Sequence, residues 1–552
     1  MNGEQFSRRD FLTAGSVATV SLLAPSTAWV RPPRAEPRPV QDGYEQQQYK
    51  RRSLRAMTMI DDGDLDEAIE HLHEQLDAVP GDPEFSYCLA VAHGQKGEID
   101  AAMDYVRKAL RYGLPPSRFL AGPRDLLAPL AKTDTFQELM ERRYDLDYVH
   151  GPLLGSVTDT QAQFWVRTLD EAVVRVEVER ENGDAVHRSD AVQAQADADF
   201  TAVARVTGLA PDTAYTYRLF VDDREQPETW SFRTFPKEGE PAAFEVGFGA
   251  CAGYTPWRER IWQRIASHDF PLFLLLGDNV YIDRPEHPPI QRYCYYRRQS
   301  RPEFRTFTAE TSVAAIWDDH DFGDNDSEGG PEAFTPEWKV EAWRIFRNNW
   351  NNPAYGGEEQ PGVWHEISIA DVDIFQLDGR YYRTNEDVKS PSMLGSVQKE
   401  WLFDALRTSS ASFKIIASPV PFPNGAKPGE WDWRSDTWEG YPNEREELFS
   451  FIESEQIDGV VLITGDRHRA DVWKIGREDG YDLYEFQNAR LTNIHTHESV
   501  EGSLYSYNDK PHFGRLRVDT TKADPTITYD IINITGEVVH STTLERSQLT
   551  HA

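Results

Sequence analysis

The amino-acid sequence predicts a multidomain α+β protein with a short α-helical repeat region, a β-sandwich and then a larger α/β domain. Three observations support this prediction. A chain of 552 residues is too long for one hydrophobic core. A helical pattern near the N-terminus gives way to short alternating runs, and continuous apolar runs typical of fully buried strands follow. We therefore expect three folded regions in that order.

The composition is strongly acidic and poor in cysteine. Lys and Arg number 58 against 92 Asp and Glu, which gives a formal net charge of −34. Such a surface repels phosphate backbones and anionic membranes, so nucleic acid is disfavoured as a bulk partner. We favour a solvated acidic surface over avid cation binding as the meaning of this charge. The cysteines Cys88, Cys251 and Cys294 are odd in number and widely spaced, which argues against a disulfide framework.

An export signal is predicted at the N-terminus. Ser7–Leu12 contains paired arginines before a modestly apolar stretch, and Ser26–Ala28 offers a cleavage site. The segment resembles a twin-arginine signal peptide, which implies export of the folded chain by the twin-arginine machinery to the periplasm or the exterior. The stretch is too short and too weakly apolar for a stable membrane anchor. We assign residues 1–28 to the signal peptide and residues 29–50 to a linker rich in Pro, Arg and Gln.

Residues 51–143 are predicted to form helices with an internal repeat. The segment 63–68 (GDLDEA) recurs as 97–102 (GEIDAA), at an offset of 34 residues. A helical repeat of this length resembles tetratricopeptide repeats. Two repeats could bind a partner protein in a concave groove or pack on the next domain. We favour packing, because a short array must bury its exposed face somewhere.

Residues 151–235 are predicted to form an antiparallel β-sandwich. Their apolar residues alternate with polar ones over short runs that are separated by turn residues. The segment 208–215 (GLAPDTAY) resembles the corresponding turn of fibronectin-type domains. No obvious chemistry is present in this region. We expect it to support or flank the catalytic domain, with carbohydrate or protein binding as the alternative.

Residues 244–545 contain apolar runs that stop at polar residues able to ligate metals or phosphate. Five such ends occur at Cys251, Asp278, Asp318–His320, Asp378–Arg380 and Asp466–His468. Taken singly, each could be a turn residue, a helix cap or a small buried hydrophobe. Ligands of parallel sheets bind beyond the carboxyl ends of the strands, where these segments would converge. Five ends of this kind therefore favour a shared metal site.

The same residues lie in six short motifs that occur in a fixed order along the chain. The motifs are GAC at 249–251, GDNVY at 277–281, WDDHDFGDN at 317–325, LDGRYYR at 377–383, WEGYP at 438–442 and GDRH at 465–468. They resemble the PhoD-type alkaline phosphatases and phosphodiesterases, a branch of the calcineurin-like metallophosphoesterases. The resemblance runs from about residue 151 to the C-terminus and omits the helical repeats. It implies a four-layer α/β sandwich, with two sheets flanked by helices, that hydrolyses phosphate esters.

The resemblance further implies a ferric ion and a calcium ion in the site. The thiolate of Cys251 and the phenolate of Tyr281 are strongly donating anions that suit trivalent iron. Asp278 is placed between them and could bridge to a second metal. These three side chains are therefore predicted metal ligands.

Three further ligands are predicted, and two of them, Asn325 and His468, are expected to bind the second metal. Asn325 offers a hard oxygen donor, which suits calcium better than zinc. Asp466 and His468 stand where ordinary metallophosphoesterases carry two histidines, and the Asp again favours a harder ion. The assignment of Asp466 to one ion or the other stays open, because its side chain could serve either.

The predicted mechanism is in-line attack on phosphorus by a metal-bound hydroxide, while the metals stabilise charge on the phosphoryl oxygens. His320 is the candidate proton donor to the leaving group, because Asp318 and Asp319 could keep it protonated, although it could also serve only to orient. Arg380 could grip a phosphate oxygen or pair with Asp378. The predicted catalytic residues are His320, Asp319 and Arg380.

Several alternatives remain at this stage. His495 and His497 would need a bend to face one metal, so we expect a surface pair rather than ligands. The aromatic run from Trp431 to Tyr441 could frame the pocket or pack in the core. The substrate could be a phosphomonoester or a phosphodiester, including the esters that phospholipase D-type enzymes cleave. A binding protein whose phosphoesterase-like domain has lost activity is the alternative from another class.

Overall fold

The computed structural model describes residues 49–552, except 145, 182, 184–185, 358, 386–388 and 430–435. The predicted signal peptide, nearly all of the predicted linker and the first part of the aromatic run, Trp431–Arg434, lie outside the described residues. Within them, the predicted α+β organisation is confirmed, since helices come first and several sheets follow. No helix of the described part is long and apolar enough to cross a membrane.

The chain contains the following helices and strands, numbered in chain order. The helices are α1 (Tyr49–Asp62), α2 (Leu65–Ala78), α3 (Pro83–Gln95), α4 (Ile99–Arg111), α5 (Ser117–Ala121), α6 (Arg124–Ala131), α7 (Asp134–Arg143), α8 (Arg260–Ala266), α9 (Pro288–Gln299), α10 (Pro302–Glu310), α11 (Asp319–Phe322), α12 (Glu337–Arg347), α13 (Gly395–Thr408) and α14 (Pro442–Ser454). The strands of the first half are β1 (Tyr148–Gly155), β2 (Gln161–Thr168), β3 (Ala172–Arg180), β4 (Val186–Arg188), β5 (Val192–Ala194), β6 (Thr201–Thr207), β7 (Ala214–Val221), β8 (Arg224–Arg233), β9 (Ala243–Gly249), β10 (Leu272–Leu276) and β11 (Ser312–Ile316). Those of the second half are β12 (Gly356–Gly357), β13 (Gln360–Pro361), β14 (His365–Ile369), β15 (Val372–Gln376), β16 (Phe413–Ser418), β17 (Val460–Thr464), β18 (Ala470–Ile475), β19 (Leu483–Asn488), β20 (Tyr505–Tyr507), β21 (His512–Asp519), β22 (Thr526–Asn533) and β23 (Val538–Glu545).

Turn glycines and one strong cap define the N-terminal helices. Gly63 ends α1 with φ +88°, and Gly97 ends the equivalent helix α3 with φ +79°, a conformation that glycine adopts without steric cost. Helix α3 begins at Pro83, and the carboxylate of Asp82 accepts the N–H groups of Glu84 and Phe85 at 2.9 Å. The sequence repeat therefore corresponds to two helix–turn–helix units, as predicted.

The helical region packs against the catalytic domain through α9. Arg297 of α9 donates a hydrogen bond to the hydroxyl of Ser53 in α1 at 2.7 Å. The ring of Tyr293 in α9 stacks on Tyr87 of α3, with ring centroids 6.2 Å apart. Helix α3 is buried at every residue from Glu84 to Gly94. The repeat region therefore uses much of its apolar surface for packing on its own chain.

Replacement of Ser53 by Ala is expected to weaken this packing. The change leaves the guanidinium of buried Arg297 without a partner that it now holds at 2.7 Å, so the free energy of unfolding should fall by about 1.5–3 kcal/mol. Thr58→Ala is the matched control, since the Thr58 hydroxyl donates only within α1, to the carbonyl of Leu54. Urea denaturation measures both values, and equal effects of the two changes would contradict this role of Ser53.

Strands β1 to β8 form the predicted antiparallel sandwich. One sheet has the order β1-β2-β6, and the other has the order β4-β3-β7-β8, with β5 paired to β3. Arg167, at the end of β2, is fully buried and joins the sandwich to the catalytic domain. Its guanidinium donates to Nδ1 of His150 and to Oε1 of Gln299, both at 2.8 Å, and to Oδ1 of Asn349 at 3.0 Å. These bonds indicate a supporting role for the sandwich.

Two larger sheets form the centre of the catalytic domain. Their strand orders are β11-β10-β9-β21-β22-β23 and β14-β15-β16-β17-β19-β18-β20. The strands β9, β10 and β11 run parallel, and so do β15, β16, β17 and β19. A bridge between Ala250 and Ala489 joins residues that follow β9 and β19. The carboxyl ends of the two parallel sets therefore meet, as the pattern of strand ends predicts.

Candidate metal centre

Four of the predicted metal ligands have an unusual backbone conformation. The φ angles are +60° for Cys251, +54° for Asp278, +64° for Asp466 and +49° for His468. Residues other than glycine rarely adopt positive φ, and such residues concentrate at functional sites. Each of the four follows the end of β9, β10 or β17 within a few residues. Exposed turn residues such as Asp269 share this conformation, so it supports the site only together with the burial and convergence of these residues.

The loop after β10 is held tightly in place. Gly277 has φ +102°, and a Cβ atom there would lie 2.6 Å from the Cβ of Asp318, so no other residue fits between the two strand ends. The buried carboxylate of Asp321 accepts the N–H of Val280 at 2.9 Å and that of Asn279 at 3.1 Å. Asp321 therefore stabilises the loop that carries Asp278 and Tyr281.

Cys251, Asp278 and Tyr281 converge in one buried cluster. Oδ2 of Asp278 accepts a hydrogen bond from the Tyr281 hydroxyl at 2.7 Å and contacts Sγ of Cys251 at 3.5 Å. The other carboxylate oxygen, Oδ1, is buried and has no hydrogen-bond partner among the described residues. Buried carboxylate oxygens normally have a partner, and a cation is the simplest one here. The cluster thus fits a metal site.

His468 and Asn493 complete this cluster. Nε2 of His468 lies 3.5 Å from the Tyr281 hydroxyl, and the side-chain amide of Asn493 donates to that hydroxyl at 2.6 Å. The ligand atoms of Cys251, Asp278 and His468 lie within 4.8 Å of one another. Asn493 was not predicted from the sequence. Asn493 follows β19, and its position after a strand end could have indicated it. The residues of β19 are too polar, however, to predict a buried strand from the sequence.

Asp466 approaches the cluster mainly through its backbone. Its carbonyl oxygen accepts a contact from Sγ of Cys251 at 3.4 Å, whereas its carboxylate pairs with Nη1 of Arg467 at 3.2 Å. Asn325 is exposed on the segment after α11. No hydrogen bond joins the Asn325 side chain to the other predicted ligands within the described ranges. The structure therefore brings Cys251, Asp278, Tyr281 and His468 together.

The electrostatics of the cluster favour a bound cation. Burial and the charges of Asp319 and Asp466 raise the pKa of Asp278 to about 7, although His320 opposes this shift. Burial and the neighbouring carboxylate of Asp278 also hold the pKa values of Cys251 and Tyr281 well above their usual ranges. A multivalent cation would reverse all three shifts, because it stabilises the anionic form of each donor. Thiolate, phenolate and carboxylate together suit a trivalent ion such as iron.

His320 lies beside the cluster and is oriented by Asp283. Nδ1 of His320 is 2.5 Å from Oδ1 of Asp283, and its ring centroid is 4.3 Å from that of Tyr281. Burial opposes protonation of His320, but Asp319, Asp278 and Asp283 outweigh burial and raise its pKa to about 10. Asp283 was not predicted, because a single Asp in a loop carries no signal in the sequence. His320 therefore lies beside the cluster with its Nδ1 engaged by Asp283, a geometry that suits a proton donor.

Asp319 has a structural hydrogen-bonding pattern as well as a place beside His320. Its Oδ1 accepts the backbone N–H of His320 at 2.9 Å, and its Oδ2 accepts that of Asp326 at 2.8 Å. Its ligand atoms also lie within 4.8 Å of those of Asp278 and His320. Asp319 therefore connects the loop after α11 to the cluster.

Arg380 was predicted to grip a phosphate oxygen or to pair with Asp378, and the structure shows its guanidinium paired with two other carboxylates. Its Nε donates to Oδ1 of Asp318 at 2.6 Å and its Nη1 donates to Oδ1 of Asp436 at 2.7 Å, with the side chain 0% exposed. Two of the three guanidinium nitrogens are therefore hydrogen-bonded to carboxylates, while Nη2 lies 2.6 Å from Oδ1 of Asp318 and has no hydrogen bond of good geometry among the described residues. Asp378 accepts the backbone N–H of Arg380 at 2.9 Å and does not pair with the guanidinium. This geometry indicates a positioning role.

Three family models match separate parts of the chain. A family model described as PhoD-like phosphatase matches residues 246–550, which is more than half of the chain. A domain of unknown function matches residues 146–237, and a tetratricopeptide repeat matches residues 59–118. The helical repeats predicted from the 34-residue offset are thereby confirmed.

One known protein is similar to this chain in sequence over part of its length, and two solved structures are similar to it in fold. Alkaline phosphatase D of Bacillus subtilis (strain 168) is 26% identical over 308 residues, which are 47% of this chain and 52% of that protein. The chain thus spans about half the length of this curated relative. The solved structure of PhoD aligns with a TM-score of 0.60 at 17% identity, over 72% of this chain and 90% of that chain. Purple acid phosphatase PPD1 from yellow lupin (Lupinus luteus) seeds aligns with a TM-score of 0.52 at 14% identity, over 72% of this chain and 75% of that chain. These structural likenesses show a shared fold.

Proposed function

This chain belongs to the PhoD-like phosphatase family, and we propose that it is a metal-dependent phosphoric ester hydrolase acting on phosphomonoesters, phosphodiesters or both. One observation carries the proposal. Cys251, Asp278, Tyr281 and His468 converge around a buried carboxylate oxygen that has no partner among the described residues. A site built in this way has little purpose without a cation.

The proposed metals are ferric iron and calcium. Cys251 and Tyr281 would hold the iron, Asp278 would bridge, and His468 would bind the second ion, with Asp466 available to either. Asn325 is a further candidate ligand of the second ion. When bound, the two ions supply Lewis-acid stabilisation of the phosphoryl oxygens and lower the pKa of the attacking water.

The side chains around the cluster have distinct proposed roles. His320 holds a proton on Nε2 for the leaving oxygen, because Asp283 occupies its Nδ1. Asp319 fixes the backbone of His320 and adds the negative charge that keeps the ring protonated. Arg380 holds Asp318 in place.

Replacement of Asp283 by Ala is expected to slow catalysis about 10- to 100-fold, as is usual when the partner that orients a functional histidine is lost. The fall should appear in kcat rather than KM, since Asp283 orients the proton donor. The double variant with His320→Ala should be no slower than His320→Ala alone. Steady-state kinetics check this, and additive losses would contradict a shared role. Arg51→Ala is the control, because its 50% exposed side chain contacts Asp283 only at 3.7 Å.

We propose that the helical repeats serve their own chain rather than a partner protein. The observation in support is that α3 is buried along most of its length and that α1 and α3 pack on α9. Helix α9 follows the loop that carries Tyr281 and Asp283. The repeats would therefore stabilise the wall of the active site.

Export by the twin-arginine pathway is proposed from the sequence alone. Arg8 and Arg9 precede the apolar stretch in the order that this pathway requires. Loading of metal before export would suit a cluster as buried as this one. Fractionation of cells that produce the wild type or the Arg8→Lys/Arg9→Lys form tests the proposal, and equal distribution of the two would refute it.

Hydrolysis assays with the purified full-length chain test the proposed activity. We expect release of p-nitrophenol from p-nitrophenyl phosphate or from its bis ester in the presence of calcium, and a loss after chelation. The ratio of the two rates gives the preference for monoesters or diesters. A metal-loaded protein that cleaves neither ester would support the alternative, a binding protein with an inactive phosphoesterase-like domain.

A further inference from the structure

Three histidines meet at the outer edge of the metal cluster. His468 contacts His495 edge-on, with ring centroids 5.0 Å apart, and stacks on His497 at 5.4 Å. The rings of His495 and His497 are 4.6 Å apart. One nitrogen of each ring lies within 4.8 Å of the others. His495 and His497 thus lie side by side at the surface, as predicted, and both rings also approach a third histidine from another loop.

The backbone around these histidines is well fixed. Thr496 donates a hydrogen bond from its hydroxyl to the carbonyl oxygen of His468 at 3.1 Å. The side-chain amide of Asn508 donates to the carbonyl oxygen of His497 at 2.8 Å. His495 is exposed and His497 is half-buried, so both side chains can still rotate. Nitrogens that share a tetrahedral metal lie about 3.3 Å apart, a distance that small rotations of these rings can reach.

The donor set differs in kind from that of the catalytic cluster. Three neutral imidazoles suit borderline divalent cations such as Zn²⁺, whereas they are poor ligands for calcium and magnesium. Three histidines with an open fourth position form a known type of zinc site. The catalytic cluster offers thiol, phenol and carboxylate groups in addition to the ring of His468. The two sites would therefore select different ions.

The cationic neighbours of the three histidines are paired with carboxylates. Arg467 lies 3.2 Å from the carboxylate of Asp466, and Nε of Arg469 donates to Asp471 at 2.8 Å. These ion pairs reduce the repulsion that a bound cation would meet. No carboxylate needs to leave its partner for the three imidazoles to bind a metal.

We propose that His468, His495 and His497 form a second metal site, specific for Zn²⁺ or another borderline divalent cation, and that its occupation lowers the hydrolytic rate. The effect on the rate follows because His468 belongs to both clusters. An ion held by the outer histidines competes with the catalytic metals for this ring. The effect on the rate rests on the proposed function, whereas binding of the ion does not.

Zinc binding by the full-length protein, with iron and calcium already loaded, tests this site. Equilibrium dialysis should show about one Zn²⁺ fewer per chain in the His495→Ala/His497→Ala variant than in the wild type. The zinc concentration that halves the hydrolysis of p-nitrophenyl phosphate should rise at least about tenfold in this variant, equivalent to about 1.4 kcal/mol of binding free energy. Its activity without zinc should match that of the wild type.

His73→Ala is the matched control, because it removes an exposed histidine from the helical region. This variant should bind zinc as the wild type does. Equal zinc stoichiometry in the double variant and the wild type, with matching circular dichroism spectra, would overturn the proposal. A protein that binds the additional zinc but hydrolyses no ester would retain the site and refute only the proposed function.

Discussion

Replacement of Asp278 by Asn is expected to reduce kcat by about 10³-fold or more, since it removes the charged group at the centre of the cluster. Its Oδ2 is shared by Cys251 and Tyr281, and its Oδ1 has no other described partner. The neutral amide would bind metal weakly, so the metal content should fall together with the rate. Steady-state kinetics and elemental analysis of the same preparation measure both effects.

The fold should survive this substitution. Burial and neighbouring carboxylates raise the pKa of Asp278 to about 7. Its ionised form therefore destabilises the metal-free protein increasingly as the pH rises from about 4 to above 7. At pH 8 the metal-free Asn variant should be at least as stable as the metal-free wild type. A loss of activity explained by unfolding at pH 8 would contradict this account.

Asp269→Asn is the matched control for Asp278→Asn. Asp269 also has positive φ, at +51°, and precedes β10, but it is exposed. Asn adopts this conformation readily. The control should keep the wild-type rate and metal content.

Replacement of Arg380 by Ala is expected to lower the free energy of unfolding by about 3–5 kcal/mol, because it leaves buried carboxylates unpaired. Arg380 lies between Asp318 and Asp436, and all three side chains are at most 2% exposed. Arg383 and Lys427 also pair with Asp436 and would retain part of its neutralisation. Among the residues that the structure describes, Asp318 would keep no cation of this kind. Urea denaturation measures the loss.

Two variants make this measurement specific. Arg344→Ala removes an arginine that is 66% exposed and lies 3.8 Å from Glu341, so its effect should stay below about 1 kcal/mol. Arg380→Lys keeps the charge but loses the planar fork. Its effect on the free energy of unfolding should therefore lie between those of Arg344→Ala and Arg380→Ala. If Arg380→Ala destabilised the protein no more than Arg344→Ala, the buried ion pairs would not have the structural role assigned to them.

The sequence predicts the strand ends well, for a physical reason. Strands buried on both faces need continuous apolar residues, so the change to a polar residue is sharp after β9, β10 and β17. Cys251, Asp278 and Asp466 follow these changes and were found for that reason. Strand β19 contains Glu485, Gln487 and Asn488 in buried positions. Its polar character explains why Asn493 was missed.

Pairing between side chains is less readable from the sequence. Arg380 was assigned to a phosphate or to Asp378, its neighbour along the chain, but its partners lie 62 and 56 residues away. Asp283 was missed because its contact with His320 spans 37 residues. His495 and His497 were set aside because their relation to His468 depends on the path of an irregular loop. Tertiary structure alone determines such contacts.

The metal content and visible spectrum of the purified protein test the central claim most directly. The account predicts iron bound in the wild type, with a visible absorption band from charge transfer between the phenolate of Tyr281 and ferric iron. Tyr281→Phe should lose this band, and Cys251→Ala should lose both iron and most of the activity. A wild-type protein that is colourless, holds no iron and gives the same spectrum as Tyr281→Phe would contradict the account.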